Sequence, residues 1–230
     1  MNSAKPSQPI QCVIFDCDGV LVDSEILANQ TALQMLEPYG FVMSQAEYGG
    51  SFAGKTEADI LEIVRRDYGI KLPDDFHERL SLAIERRIDQ ELRAIVGMRE
   101  VITSLLVPTA VVSNSRLVRV ISSLKVAGLS DLFGDNLFAA EMVDHPKPAP
   151  DIYLHAVRKL GAPPSACLVI EDSQSGITAA HRAGMPVIGF LGASHLPADH
   201  EKTAKAAGAW AVADSAAELS QLLRTLSFQS

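Results

Sequence analysis

From Arg99 onward, short apolar runs alternate with amphipathic segments, and that alternation restricts the fold more than any other feature of the chain. Residues 109–112, 137–140, 167–170 and 186–189 are of strand length and carry no polar face, as strands buried on both sides do. Between them, Leu117, Val120, Ile121 and Leu124 mark one helical face, and Ile152, Ala156, Val157 and Leu160 mark another. Strand–helix–strand alternation implies right-handed crossovers and a parallel sheet covered by helices on both faces. An earlier run, residues 12–15, supplies the first and central strand of this α/β core.

Residues 24–92 break the pattern. They contain no convincing strand and three helical patterns, the last with Phe76, Leu80, Ile84 and Ile88 recurring every four residues. The reading is a small all-helical domain inserted after the first strand, with hinges near Val22-Asp23 and Val96-Gly97. The core is then 1–23 and 95–230, and the cap 24–94. Gly40, Gly69, Gly128, Gly161 and Gly184 each follow a helical pattern. Phe41, Ile70, Leu129 and Met185 follow four of them, the pairing that a left-handed C-terminal cap and its hydrophobic contact require.

Composition narrows the function classes. The formal net charge is −8 and no basic stripe with interleaved aromatics occurs, which argues against nucleic acid. Arg65-Arg66 and Arg86-Arg87 read as solvated helix faces. No stretch reaches the roughly 18 apolar residues of a membrane span, and the polar segment 1–9 lacks a signal peptide's apolar centre. Cys12, Cys17 and Cys167 read as small buried hydrophobes in a reducing cytoplasm. The expected protein is cytoplasmic, a monomer or weak homodimer, with a small-molecule partner.

Four polar clusters stand at strand ends. Asp16-Cys17-Asp18-Gly19-Val20 follows the first strand and puts two carboxylates where open α/β sheets bind ligands. Crowded like charges need a cation, although Asp-x-Asp-Gly is also a common turn or a fragment of a calcium loop. Ser113-Asn114-Ser115 opens the next helix and can present hydroxyls and N–H groups to an anion; alone, Ser115 would read as a helix cap. In His145-Pro146-Lys147-Pro148-Ala149-Pro150-Asp151, alternate prolines orient a lysine at low entropic cost. Glu171-Asp172-Ser173 ends the buried 167–170 run, with Gly176 beyond. In a parallel sheet both acidic pairs emerge on one edge, a destabilising crowd unless Mg²⁺ fills its centre.

In that order, Asp16-Cys17-Asp18-Gly19-Val20, Ser113-Asn114, Lys147-Pro148 and Glu171-Asp172 resemble the four motifs of the haloacid dehalogenase-like superfamily. The helical insertion is similar to its C1-capped branch, and the third and fourth motifs to its β-phosphoglucomutase and sugar-phosphate phosphatase group. The resemblance implies a Rossmann-like core and a Mg²⁺-dependent phosphatase of small phosphomonoesters. It implies Asp16 as nucleophile and Asp18 as general acid and base. It implies Mg²⁺ held by Asp16, the Asp18 carbonyl and Asp172, with Glu171 a direct or indirect ligand. Ser113, Asn114 and Lys147 would hold the phosphoryl oxygens, and Gly54 and Lys55 of the cap loop would meet the leaving group. Dehalogenases need neither the second aspartate nor magnesium, so Asp18 and Glu171-Asp172 argue for phosphoryl transfer. The runner-up is a phosphosugar mutase. Its cap histidine and arginine would fall at Ala28 and Glu57, which cannot donate to a second phosphate.

Overall fold

The computed structural model describes residues 5–52, 55–193, 196 and 199–229. Its strands are β1 (Cys12–Phe15), β2 (Thr109–Ser113), β3 (Leu137–Ala139), β4 (Cys167–Glu171), β5 (Val187–Phe190) and β6 (Ala211–Ala213). All pair in parallel in the order β3-β2-β1-β4-β5-β6. Winding runs outward from β1 in one direction through β2 and β3, and in the other through β4 to β6. That places a crevice at the carboxyl ends of β1 and β4.

Period-two alternation divides the strands between two apolar layers. Val13, Phe15, Leu168 and Ile170 face one layer. Cys12, Ile14, Val169 and Val187 face the other. The first layer is covered by α5 (Met98–Thr103), α6 (Leu117–Val126) and α10 (Ala216–Arg224). The second is covered by α7 (Asp151–Leu160), α8 (Gln174–Arg182) and α9 (His200–Ala207). The expected α/β core with helices on both faces is therefore what the chain forms.

Boundaries differ in ways that matter to the site. β2 and β4 each run one residue further than expected, so Ser113 and Glu171 belong to the sheet. β3 stops at Ala139, where a 3₁₀ turn, Ala140–Met142, begins, and β5 is shifted one residue to end at Phe190. Ile121, expected on the buried face of α6, is 47% exposed, and Ser123 is buried instead. α5, α9, β6 and α10 have no counterpart in the sequence reading; a three-residue strand is too short for periodicity to reveal.

The described residues of 24–91 form four α-helices where three patterns are expected: α1 (Ser24–Leu36), α2 (Gln45–Phe52), α3 (Glu57–Asp67) and α4 (Phe76–Glu91). α2 escapes the reading because Gly49 and Gly50 sit inside it, each costing a helix about 1 kcal/mol. Phe76, Leu80, Ile84 and Ile88 are all buried along α4, as their spacing predicts. The five cap glycines all have positive φ. The Phe41, Ile70, Leu129 and Met185 N–H groups reach back to Leu36, Val64, Leu124 and Ala180. Where the insertion leaves and returns, Val22 bridges Ala94 and the Ile95 N–H donates to Leu21 O at 2.9 Å. No helix among the described residues is long and apolar enough to cross a membrane.

Candidate active site

The loop after β1 is wound tightly enough to aim two carboxylates. The Asp16 N–H continues the sheet by donating to Ile170 O at 2.9 Å. Leu21 and Val22 N–H groups both donate to Cys17 O, and Gly19 N–H donates to Val22 O at 2.7 Å. Gly19 has φ +83°, and a Cβ there would lie 1.9 Å from Asp172 Oδ2. A glycine therefore serves twice, turning the chain and admitting Asp172 against the loop. The Asp18 carboxylate is held at both oxygens, Oδ1 accepting from Ser24 Oγ at 2.5 Å and Oδ2 from Ser115 Oγ at 3.2 Å. Cys17 is buried, and burial first, then Asp18 and Asp16, push its thiol well above the ordinary range. It is no nucleophile at neutral pH.

Lys147 ties the strand ends together. The Asn114 side chain clasps its backbone, donating to Lys147 O and accepting from Lys147 N–H, both at 3.0 Å. Lys147 Nζ then donates to Asp16 Oδ1 at 2.5 Å, Glu171 Oε1 at 2.7 Å and Val112 O at 2.8 Å. All three ammonium protons are used. Glu171 Oε2 accepts from Ser173 N–H at 2.8 Å and Ser173 Oγ at 3.0 Å. Both carboxylate oxygens of Glu171 thus accept from protein donors. Ser173 also caps α8, accepting from Gly176 N–H at 3.0 Å.

Four carboxylates, Asp16, Asp18, Glu171 and Asp172, gather around one lysine. Asp16 is 8% exposed, Lys147 6%, Asp172 4% and Glu171 fully buried. Burial pushes the Asp16 carboxyl up to about 7, with Glu171 and Asp18 adding to the rise and Lys147 opposing it. Asp172 is raised well above the carboxylate range by burial, then by Glu171 and Asp16. Burial alone would lower the Lys147 ammonium, but Asp16 and Glu171 outweigh it and hold it well above its usual value. Among the described residues no group of three or more His, Cys, Asp or Glu side chains is arranged to hold a metal ion by itself. The oxygen-only donor set and its surplus negative charge nevertheless fit a hard divalent cation completed by carbonyl, water and phosphate oxygens. Asp16 Oδ2 takes no hydrogen bond from the described residues.

A cavity of about 450 Å³ opens on this cluster, lined by Asp16, Asp18, Ser113, Asn114, Lys147 and Asp172, with His200 and Thr203 of α9 opposite. A second, of about 390 Å³, is lined by residues of α1 and α4 together with Asp18, Lys55 and Arg119. Asp18, Glu25 and Ser115 line both, so the cavities meet at the second aspartate. Lys55 lines the second; Gly54 lies outside the described residues. Every other residue expected at the site is brought to one or other cavity.

Sequence reasoning missed several participants. Ser115 does not cap α6, which has Arg116 at its N-cap; it binds Asp18 instead. Ser24, at the start of α1, does the same. His200 Nε2 donates to the Asp172 carbonyl. Nothing in the spacing of Ser24 or His200 announces these roles. Ser115 was nearer to hand, as the third residue of a recognised motif.

Fold, strand-end carboxylates and buried lysine together define a hydrolase of the haloacid dehalogenase-like class. The chain belongs to the haloacid dehalogenase-like hydrolase family, whose pattern it matches over residues 13–190. It is 30% identical over 195 residues to 6-phosphogluconate phosphatase of Escherichia coli strain K12, covering 84% of this chain and 88% of that protein. Among solved structures it resembles a haloacid dehalogenase-like protein from Agrobacterium tumefaciens at TM-score 0.85 and 35% identity, covering 94% of this chain and 98% of that one. A family hydrolase from Deinococcus radiodurans with bound phosphate and sodium gives TM-score 0.87 and 32% identity, over 96% and 99% of the two chains.

Close packing beneath Glu171 gives a first prediction. A Cβ on Gly176 would lie 1.5 Å from Glu171 Oε1. Gly176→Ala is expected to push the carboxylate off Lys147 and Ser173. The protein should lose about 2–4 kcal/mol of stability by denaturant titration, together with most of its activity. An unchanged midpoint would mean Glu171 has room that the packing denies it.

Proposed function

We propose that the protein is a Mg²⁺-dependent phosphatase of small phosphomonoesters, sugar or sugar-acid phosphates, acting through an aspartyl-phosphate on Asp16. The observation that carries this reading is the triple engagement of Lys147 Nζ with Asp16, Glu171 and Val112 O, which joins the ends of β1, β2 and β4 in one cavity.

Asp16, held at Oδ1 by Lys147, attacks phosphorus through its other oxygen and displaces the alkoxide. Asp18, steadied by Ser24 and Ser115 beside the second cavity, protonates that alkoxide and then takes a proton from the hydrolytic water. Ser113 Oγ and the Asn114 N–H hold phosphoryl oxygens, and Lys147, its three protons on Asp16, Glu171 and Val112 O, supplies fixed positive charge beside them. Asp16, the Asp18 carbonyl and Asp172 would hold Mg²⁺, which would offset the repulsion between carboxylate and phosphate dianion. Glu171 acts through Lys147 and Ser173.

Residues 24–94 are read as a cap that closes over the leaving group, with Lys55 at its rim. Its hinge is the paired crossing at Val22 and Ala94. The protein is read as cytoplasmic, without nucleic-acid or membrane partners. The mutase reading is disfavoured at the two positions where its cap histidine and arginine would fall. Ala28 and Glu57 both line the second cavity, and neither can donate to a second phosphate.

The test is phosphate release from a panel of sugar, polyol and sugar-acid phosphates and an aryl phosphate. Turnover is expected with Mg²⁺ and is abolished by a chelator. Isomerised product without net phosphate release, dependent on a bisphosphate primer, would establish a mutase instead.

A further inference from the structure

Arg119 has no role in the phosphatase reading. It lies on α6, four residues beyond Ser115, and lines the second cavity with Asp18, Asn29, Lys55 and Glu57. It is half-buried, yet its guanidinium has no ion pair and no hydrogen bond among the described residues. Cations nearby on the surface are occupied: Arg87 binds Glu91, Gln30 and Thr31, and Arg116 lies 3.8 Å from Glu141. The acids of the cavity are largely occupied as well. Glu57 accepts from Ser81 at 2.6 Å and lies 3.6 Å from His77, and Asp18 is held by Ser24 and Ser115. Glu25 sits where the two cavities meet, at the reacting end.

A half-buried guanidinium with no internal partner is a costly thing to hold beside a cavity unless something anionic fills it. Its planar fork suits a carboxylate, which it can bind through two parallel N–H bonds. Lys55 adds a second positive charge from the cap side, so an anion there would be attracted by both lobes. Resting on the phosphatase reading, we propose that Arg119 is a specificity-determining residue that binds a carboxylate on the leaving-group portion of the substrate. The preferred substrates are then phosphorylated sugar acids rather than neutral sugar phosphates.

The experiment compares an aldonic acid phosphate with the alditol phosphate of the same length, which differs only in bearing a hydroxymethyl group in place of the carboxylate. The wild-type protein should favour the acid by about ten- to hundredfold in kcat/KM. In Arg119→Gln that ratio should fall towards one, chiefly through KM of the acid, and Arg119→Lys should restore part of it. Calorimetric binding of the dephosphorylated aldonic acid should weaken in parallel, a readout that does not depend on turnover. An unchanged ratio in Arg119→Gln, or wild-type preference for the alditol or for a sugar bisphosphate, would overturn the assignment while Mg²⁺-dependent aryl phosphate hydrolysis left the phosphatase reading standing. If the wild-type protein hydrolyses no phosphomonoester at all, both readings fall together.

Discussion

Asp16→Asn is expected to fold normally and to lose turnover by about 10⁴-fold or more, the loss typical of removing a nucleophile. The amide keeps the shape of the carboxylate and leaves Lys147 bound to Glu171, so the cavity has no reason to collapse. Stability should report the missing charge. The Asp16 carboxyl is raised from 3.8 to about 7 by burial, so the folded protein binds its proton more tightly than the unfolded chain. Without Mg²⁺, this group makes the wild-type protein less stable as pH climbs from about 4 to about 7. Asp16→Asn should lack that slope and melt at a higher temperature than wild type above pH 7. Thermal melts across this range, with and without Mg²⁺, check the prediction. Equal slopes in the two proteins would mean the buried charge is compensated in some other way.

Lys147→Met is expected to cost more stability than any other single change at the site. It conserves the length of the side chain but leaves Asp16 and Glu171 buried without their cation, a loss of about 3–5 kcal/mol for a broken buried pair. The effect should shrink towards pH 5, where the raised carboxyl of Asp16 takes up a proton. Adding Glu171→Gln should recover part of the loss, because one of the stranded charges is then gone. Activity should not recover, since the phosphoryl group still lacks its fixed positive partner. Denaturant titrations of the single and double variants at pH 7 and pH 5 distinguish these outcomes. A double variant no more stable than Lys147→Met would show that Glu171 is not among the stranded charges.

How much of this could be read beforehand depended on how local the signal was. Residues 12–15 and 167–170 announce themselves as buried strands because both faces are apolar, and they emerge as register partners, Cys12 opposite Cys167 and Phe15 opposite Ile170. Three of the four motifs are visible because they sit at strand ends, where a parallel sheet must gather them; Lys147 lies instead in the loop between the 3₁₀ turn after β3 and α7, and reaches the site through Asn114. What stayed hidden was the detail that only tertiary packing decides. Ser24 and Ser115 look like any helix-start serines until the β1 loop brings Asp18 between them. Glu171 reads as a direct or indirect metal ligand, and its hydrogen bonds to Lys147 and Ser173 are visible only in the folded chain. Arg119 is one more polar residue on an amphipathic helix until α1 and α4 line a cavity beside it. α2 was hidden for a different reason: packing among Phe41, Tyr48 and Phe52 overrides the low helical propensity of two adjacent glycines.

The most direct measurement is mass spectrometry on enzyme quenched in acid during steady-state turnover with Mg²⁺. A phosphoryl group is expected on the proteolytic peptide that contains Asp16, labile to hydroxylamine and absent from Asp16→Asn. Phosphoryl transfer to Ser113, Ser115 or any other side chain, or turnover that persists in Asp16→Asn, would contradict the account.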